Sequence, residues 1–242
     1  MYAFSVVIPA RNERDNIISL LDEIEVALRP LGAHEVIVVD DGSTDGLADV
    51  LRARMAVAPH VRALRNAVSG GQSAAVHSGV LAALAPVICT LDGDGQNPPA
   101  DLPRLLAPLL SGDVAVGLVA GQRVKRNDTL SKRLASRFAN ALRSWLLKDG
   151  TRDTGCGLKA FRRDAFLALP YFDHMHRYLP ALFARDNWQV VLVDVGHRGR
   201  GAGRSNYSNL QRGLVGLVDL PGVMWLIRRR KKARPVPVDP KG

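Results

Sequence analysis

Short β-branched runs along the chain alternate with longer stretches in which apolar residues return every three or four positions. The runs Phe4 to Ile8, Glu35 to Val39, Val61 to Leu64 and Val87 to Leu91 lack a helical period. Each is followed by a stretch that has one: Asp15 to Arg29, Leu47 to Met55, Gln72 to Ala83 and Asp101 to Leu110. Repeated strand–helix alternation predicts parallel strands joined by crossover helices, which makes an α/β fold with an open sheet. Ligands of such sheets lie beyond the carboxyl ends of the strands, so the turns that end the runs are read together.

Three of those turns are polar and acidic: Pro9-Ala-Arg11-Asn12-Glu13, Asp40-Asp41-Gly42-Ser43-Thr44-Asp45, and Asp92-Gly93-Asp94-Gly95-Gln96. In the last, an apolar strand runs into two carboxylates and an amide before Pro98 and Pro99 stop it. Asp-x-Asp on a tight turn can aim Asp92, Asp94 and the Gln96 oxygen at one hard cation, leaving positions open for phosphate oxygens. Taken singly, each turn has a plainer reading. Ser43 or Asp45 caps the next helix, Glu13 favours a helix amino terminus, and Asp-Gly is ordinary turn chemistry. Three acid-rich turns on one sheet edge repel each other unless cations or donors compensate them, and jointly they favour a site.

Composition narrows the partner. A chain of 242 residues with a formal charge of +10 has room for one large domain with a substantial core, and the charge calls for an anionic partner. Two cysteines, Cys89 and Cys156, make no disulfide framework and point to a reducing compartment. The start, Met1 to Pro9, reads as a first strand, without the basic and apolar regions of a secretion signal.

With these residues in view, the sequence resembles the family 2 glycosyltransferases of GT-A fold, and within them the polyprenyl-phosphate glycosyltransferases typified by dolichyl-phosphate mannose synthase. The resemblance is carried by Val7-Ile-Pro-Ala-Arg-Asn-Glu13, Val38-Val-Asp-Asp-Gly-Ser-Thr-Asp45, Asn66 with Gly70-Gly-Gln-Ser-Ala-Ala75 and Leu91-Asp-Gly-Asp-Gly-Gln-Asn-Pro-Pro99. It continues through Gly121-Gln-Arg123, Asp153-Thr-Gly-Cys-Gly-Leu-Lys159, His176-Arg-Tyr-Leu-Pro180 and His197 to Tyr207, in family order. It implies a Rossmann-like, mostly parallel open sheet with flanking helices. By similarity, Pro9, Arg11, Glu13, Val39 and Asp41 line the base and ribose pocket. Asp92, Asp94 and Gln96 hold Mg2+ or Mn2+ and the diphosphate, with Gly93 in the same turn. Arg123 and Arg200 face phosphates, and Arg137 matches a position that contacts the lipid phosphate. Asp153 either orients the sugar or acceptor or caps the turn at Gly155. Two departures stand out. Asn206 replaces the usual cation, for which Arg204 is the nearby substitute, and Gly93 replaces the usual alanine.

The basic charge concentrates from Arg123 to Arg163, where Leu130, Leu134, Phe138, Leu142, Trp145 and Leu146 recur at helical spacing beside a cationic face. For most of these cations a solvated surface is the simpler expectation. Leu214 to Ile227 is apolar but broken by Asp219, Pro221 and Gly222, shorter than the roughly 20 residues that span a bilayer. Arg228 to Lys232 follows as a polybasic cluster suited to anionic head groups. The expected organisation is therefore a catalytic domain over 1–208, a membrane-interface helical segment over 209–232 and a disordered tail over 233–242.

The resulting expectation is metal-dependent, inverting transfer from a nucleotide-sugar donor to a polyprenyl phosphate, undecaprenyl or dolichyl. The enzyme would sit peripherally on an anionic membrane at its cytoplasmic face. Nucleic acid is excluded as a partner, and a membrane-protein partner or a homo-oligomer stays open. Alternatives are a family 2 enzyme with a glycan or other lipid acceptor, and a non-catalytic basic membrane adaptor. A processive polysaccharide synthase would carry Gln-x-x-Arg-Trp, which is absent, and a nucleotidyltransferase would carry a glycine-rich basic loop after the first strand.

Overall fold

The computed structural model describes residues 2–124, 143, 146, 147, 149–199, 209–230 and 233, with side chains in 209–217 left aside. Four strands, β1 (Phe4–Ala10), β2 (His34–Asp40), β3 (Val61–Arg65) and β4 (Val87–Thr90), alternate with α1 (Arg14–Leu28), α2 (Leu47–Val57), α3 (Gly71–Ala82) and α4 (Leu102–Leu110). The pattern placed all eight, with ends shifted by at most a few residues. Beyond them lie β5 (Val116–Arg123), β6 (Lys159–Arg162), α5 (Arg163–Leu167), α6 (Leu179–Arg185), β7 (Gln189–Val195) and α7 (Asn209–Arg228).

The sheet has seven strands in the order β3-β2-β1-β4-β6-β5-β7. It is parallel except for β6, which runs antiparallel to both β4 and β5. Period-two alternation divides its apolar side chains between two layers. Phe4, Val6, Ile8, Val36 and Val38 meet α1, α2 and α4, while Val7, Ile37 and Val39 meet α3 and the helices of the second half. Helix α1 shows how the sequence fixes this. Ile17, Leu20, Leu21, Ile24 and Leu28 form one stripe and are all buried, each contributing about 1.5–3 kcal/mol of transfer free energy. Between the strands, the buried carboxylate of Glu35 accepts hydrogen bonds from Ser5 (2.6 Å), the Leu84 N–H (2.6 Å) and Arg62 (2.8 Å). Burial opposes its charge, but these donors more than offset it and hold its pKa below the ordinary value.

Part of the basic charge proves to be structural. Arg162 donates to the carbonyls of Val116 and Asp113, and Arg163 to those of Val80 and Leu81 at the end of α3. Arg143, counted among the surface cations, is instead buried, paired with Asp149 and set 5.8 Å over the Tyr178 ring. Apart from Arg143 and Leu146, the expected cationic helix, including Arg137 and Trp145, lies outside the described residues, as do Arg200, Arg204, Asn206, Lys231 and Lys232.

Helix α7 runs unbroken through Pro221 for 20 residues, and no helix among the described residues is long and apolar enough to cross a membrane. It does not stand apart from the domain. Val223 is buried against the core that holds Phe161 and Phe183, with Leu220, Met224 and Ile227 packed beside it. The opposite side leaves Val218 and Trp225 in solvent.

Candidate active site at the carboxyl ends of the strands

The parallel strands β1, β2 and β4 bring all three acid-rich turns to one edge. The first two are sewn together by their own side chains. Ser43 Oγ accepts the Asn12 N–H (2.9 Å), Asn12 Oδ1 accepts the Thr44 N–H (2.9 Å), and Asp45 accepts the N–H groups of Arg14 (2.9 Å) and Leu47 (3.0 Å). Asn12 sits at a φ of 55°, a backbone state asparagine tolerates better than most residues. Glu13 begins α1 and its carboxylate accepts from Asn16 at 2.6 Å. Asp45 closes a turn onto Leu47 just ahead of α2, whose N-cap is Gly46 and has no side-chain cap, and Ser43 joins β1 to β2.

Asp41, expected at the base and ribose pocket, is tied into the loop before α3. It is buried, and its carboxylate accepts hydrogen bonds from Asn66 (2.7 Å), Ser69 (2.7 Å) and the N–H groups of Gly70 and Gly71 (2.9 Å each). Burial alone would raise its pKa, but the four donors bring it below the ordinary value. Its structural work is to hold the 66–71 loop that starts α3. Asp41→Ala should therefore lower Tm by about 5–10 °C, because four part-buried donors lose their common acceptor. Thermal denaturation checks this, and an unchanged Tm would limit Asp41 to ligand contact. Val39, expected beside the base, has no exposed surface and belongs to the core under α3, because its position on β2 faces that layer. Pro9 lines the cleft, and Arg11 is exposed at its rim.

The third turn forms the floor. Asp92 Oδ1 accepts Gln72 Nε2 at 2.7 Å, and Oδ2 receives a long contact of 3.4 Å from Asn97. Burial and then the neighbouring Asp94 carboxylate push Asp92 up to about 6, while Lys159 and Arg123 pull the other way. Asp94 Oδ1 accepts the Gln96 N–H at 3.1 Å, and the Gln96 carbonyl accepts the Arg198 N–H at 3.0 Å. Gly93 packs on the end of β1. A Cβ there would lie 3.1 Å from that of Ala10 and 3.2 Å from the Pro9 carbonyl, so the departure from alanine matches a tight approach.

The wall opposite comes from residues 153–159. Arg123 donates from Nε and Nη2 to the two oxygens of Asp153 at 2.5 and 2.8 Å, and Asp153 also accepts the Gly155 N–H at 3.2 Å. The carboxylate of Asp153 thus caps the turn at Gly155 and, beyond that, orients the Arg123 guanidinium. Buried Gln122 accepts the N–H groups of Arg152 and Asp153, fixing that loop to β5. Thr90 ties β4 to the Gly157 carbonyl at 2.9 Å. Gly157 then passes so close to Asp92 that an added Cβ would lie 2.3 Å from its Oδ2.

Three contributors were not singled out from the sequence. Lys159, at the start of β6, is buried in the cleft beside Asp92 and donates to the Cys156 carbonyl, with burial lowering its pKa. Gln72 holds Asp92. Arg198 pairs with Glu23 (2.9 Å twice) and donates to the Gly95 carbonyl (2.5 Å), fastening the segment after β7 over the Asp92 turn. The Lys159 signal was present in the quoted motif, since a lysine two residues after a glycine-rich turn can reach back into it. His176, half-buried at the same cleft, is hydrogen-bonded to Ser73 Oγ at 2.8 Å, and desolvation holds its pKa well below the ordinary range. A neutral, anchored imidazole fits a structural or substrate-contacting role.

The chain matches glycosyl transferase family 2 over residues 5–169. It is 35% identical over 212 residues to the undecaprenyl-phosphate 4-deoxy-4-formamido-L-arabinose transferase of Pectobacterium carotovorum, covering 86% of this chain and 63% of that protein. It is 36% identical over 209 residues to the protein of the same name from Klebsiella pneumoniae, covering 84% of this chain and 62% of that protein. The chain thus spans less than two thirds of the length of these relatives. Among solved structures, glucosyl-3-phosphoglycerate synthase from Mycobacterium tuberculosis, in complex with Mg2+ and UDP, shares the fold with a TM-score of 0.69 at 23% identity, covering 91% of this chain and 80% of that one. Its complex with Mn2+, UDP and glucosyl-3-phosphoglycerate aligns with a TM-score of 0.65, covering 94% and 77%.

Proposed function

The chain belongs to glycosyl transferase family 2, and from that premise we propose that it transfers a sugar from a nucleotide-sugar donor to a polyprenyl phosphate, with inversion of the anomeric carbon, at the cytoplasmic face of a membrane. The observation that carries this reading is the Asp92 carboxyl, raised to about 6 by burial and by Asp94 at the carboxyl end of β4. Desolvation and the repulsion between these two acidic side chains are costs that a bound cation would relieve. Oxygen donors from Asp92, Asp94 and Gln96 suit Mg2+ or Mn2+ better than a softer metal. The fold neighbour that binds either ion together with UDP adds support, and the two named relatives support the lipid phosphate acceptor.

A divalent cation at this turn supplies charge neutralisation to the departing nucleoside diphosphate. The chain's own residues do the rest. Lys159 places positive charge beside Asp92, and Asp153 orients the Arg123 guanidinium whose charge it partly neutralises. The turns at Pro9, Arg11 and Glu13, with the loop that Asp41 holds, form the nucleoside side. A phosphate monoester acceptor is largely dianionic near neutral pH, its second pKa being about 6, so it attacks without a strong base. Neutral, hydrogen-bonded His176 accords with that. Arg137, Arg200 and Arg204 are proposed for the acceptor and donor phosphates from their motif positions alone.

Membrane attachment is proposed through the outer side of α7, where Val218, Pro221, Gly222 and Trp225 share one exposed face that ends in exposed Arg228 and Arg229. An apolar stripe ending in arginines suits an anionic lipid surface. Val218→Ser with Trp225→Ser, or removal of Arg228 to Gly242, should reduce flotation with anionic vesicles several-fold and leave nucleotide affinity unchanged. Equal flotation of these variants and the intact chain would remove this face from the proposal. The activity itself is tested with purified protein, a panel of radiolabelled nucleotide sugars, and either undecaprenyl phosphate in detergent or water-soluble phosphate acceptors. Label extracted into organic solvent only with the lipid supports the proposal, and label on a soluble acceptor alone replaces it with another family 2 acceptor.

A further inference from the structure

At the opposite end of the sheet, where β2 and β3 begin, Glu25, His34 and His60 converge. One ligand atom from each lies within 4.8 Å of the other two. Glu25 comes from the inner side of α1, His34 is the first residue of β2, and His60 immediately precedes β3. None of them touches the Asp92 cleft, so the sugar-transfer chemistry gives no reason for their meeting.

Their hydrogen bonding is unusual. His34 has only 7% of its surface exposed, stacked on Phe4 with ring centroids 5.4 Å apart. Its Nδ1 lies 3.1 Å from the Gly32 carbonyl. A carbonyl only accepts, so Nδ1 carries the proton, and in the neutral ring Nε2 keeps a lone pair. That Nε2 is buried, has no hydrogen-bond partner, and lies 3.9 Å from Glu25 Oε2. Glu25 Oε2 is likewise buried and without an aligned hydrogen bond, although His60 Nε2 stands 2.9 Å from it. Two acceptor lone pairs facing each other at this short range repel. A cation between them removes the conflict.

We propose that Glu25, His34 and His60 form a binding site for a transition-metal dication of the Zn2+ class. Two imidazole nitrogens and one carboxylate oxygen match that class, and the Nδ1–H of His34 held by a backbone carbonyl is the usual outer partner of a metal-bound histidine. Tetrahedral bonds of about 2.0–2.1 Å set ligand atoms roughly 3.3 Å apart. The separations of 2.9 and 3.9 Å bracket that value, so small rotamer changes suffice. The side chains of Glu25 and His60 are about one third exposed, which leaves the fourth position to water. The bound ion would tie α1 to the amino ends of β2 and β3, stabilising the sheet from the end remote from the cleft.

The test uses the full chain without an affinity tag, stripped with chelator and titrated with Co2+ and with Zn2+. The expected result is the visible absorption of tetrahedral Co2+ at one equivalent, displaced by Zn2+ and unaffected by millimolar Mg2+. Zn2+ at a hundredfold excess over Kd should raise Tm by about 5–10 °C. Asp94→Asn, which disables the cleft, should keep the spectrum. His60→Gln and Glu25→Gln, half-exposed changes that leave buried His34 in place, should each weaken binding tenfold or more and leave sugar transfer unchanged. Lack of the Co2+ spectrum together with an unshifted Tm would overturn the proposal, and so would a spectrum that survives both substitutions or disappears in Asp94→Asn.

Discussion

Asp94→Asn should lower the rate of sugar transfer by about 10²–10³-fold, the usual cost of removing one preorganised electrostatic contact to a developing charge, and it should do so without loosening the fold. The direction of the stability change separates a functional carboxylate from a structural one. Asp94 is one of the two causes that raise the Asp92 pKa, so in metal-free protein its charge is a cost to the folded state. Removing that charge should raise Tm slightly in chelator while activity collapses, the exchange of stability for function expected at a working site. Activity of the intact chain should vanish in excess chelator and return with Mg2+ or Mn2+. Full activity in chelator, or a large loss of Tm in Asp94→Asn, would remove the metal from the proposed mechanism.

The same carboxyl makes a pH signature. The pKa of Asp92 lies near 6 in the fold against an ordinary value of 3.8, so the folded state holds the proton more tightly than the unfolded chain. Its contribution to stability is complete below about 4 and is lost as pH rises through 6. A gap of about two pH units corresponds to at most about 3 kcal/mol. Glu35 and Asp41, whose pKa values are lowered, act in the opposite sense and lose their contribution as pH falls. The Asp92 effect is therefore read as the difference between the intact chain and Asp92→Asn in chelator. Protons and metal compete for this group, so the Mg2+ concentration needed for half activation should rise as pH drops below 6.

The first half of the fold could be read from the chain because its strands are short continuous apolar runs, buried on both faces in β1 and β2, while apolar residues return every three to four positions in α1. In the second half only the helix over Asn209–Arg228 could be read that way. Strand β6 has four residues with a lysine at one end and an arginine at the other, and it enters the sheet between β4 and β5 by pairing antiparallel to both. Its place is set by long-range pairing, to which a local pattern is blind. Site residues divide the same way. Asp92 and Asp94 announced themselves by spacing on a turn, but the donor network around Asp41 depends on a loop 25 to 30 residues away. Charge misled in particular cases. Arg143, Arg162 and Arg163 read as a solvated basic face, yet they are spent on a buried ion pair and on carbonyls at element ends. A count of cations does not tell which of them are bound inside the fold.

Gly157→Ala should impair transfer nearly as much as loss of Asp92 itself. The added methyl group would lie 2.3–2.5 Å from the three carboxylate atoms of Asp92, well inside any permitted contact, so that carboxylate must leave its place. The backbone at Gly157 is not in the left-handed region, so alanine adds no conformational strain of its own. Thr90 still holds the Gly157 carbonyl, so the loop has little freedom to retreat. The displaced group would also lose its bond to Gln72 and its approach to Asp94. A drop of about 10²-fold in kcat with a rise in the Mg2+ requirement is expected, and a shift in Tm smaller than the loss of function would imply. The decisive measurement is a double-mutant cycle with Asp92→Ala. If Gly157 matters because it leaves room for that carboxylate, the methyl group costs almost nothing further once the carboxylate is gone, and the two losses are far from additive. Additive losses would mean that Gly157 serves the substrate directly and that the packing of Asp92 against residues 153–159 is incidental to catalysis.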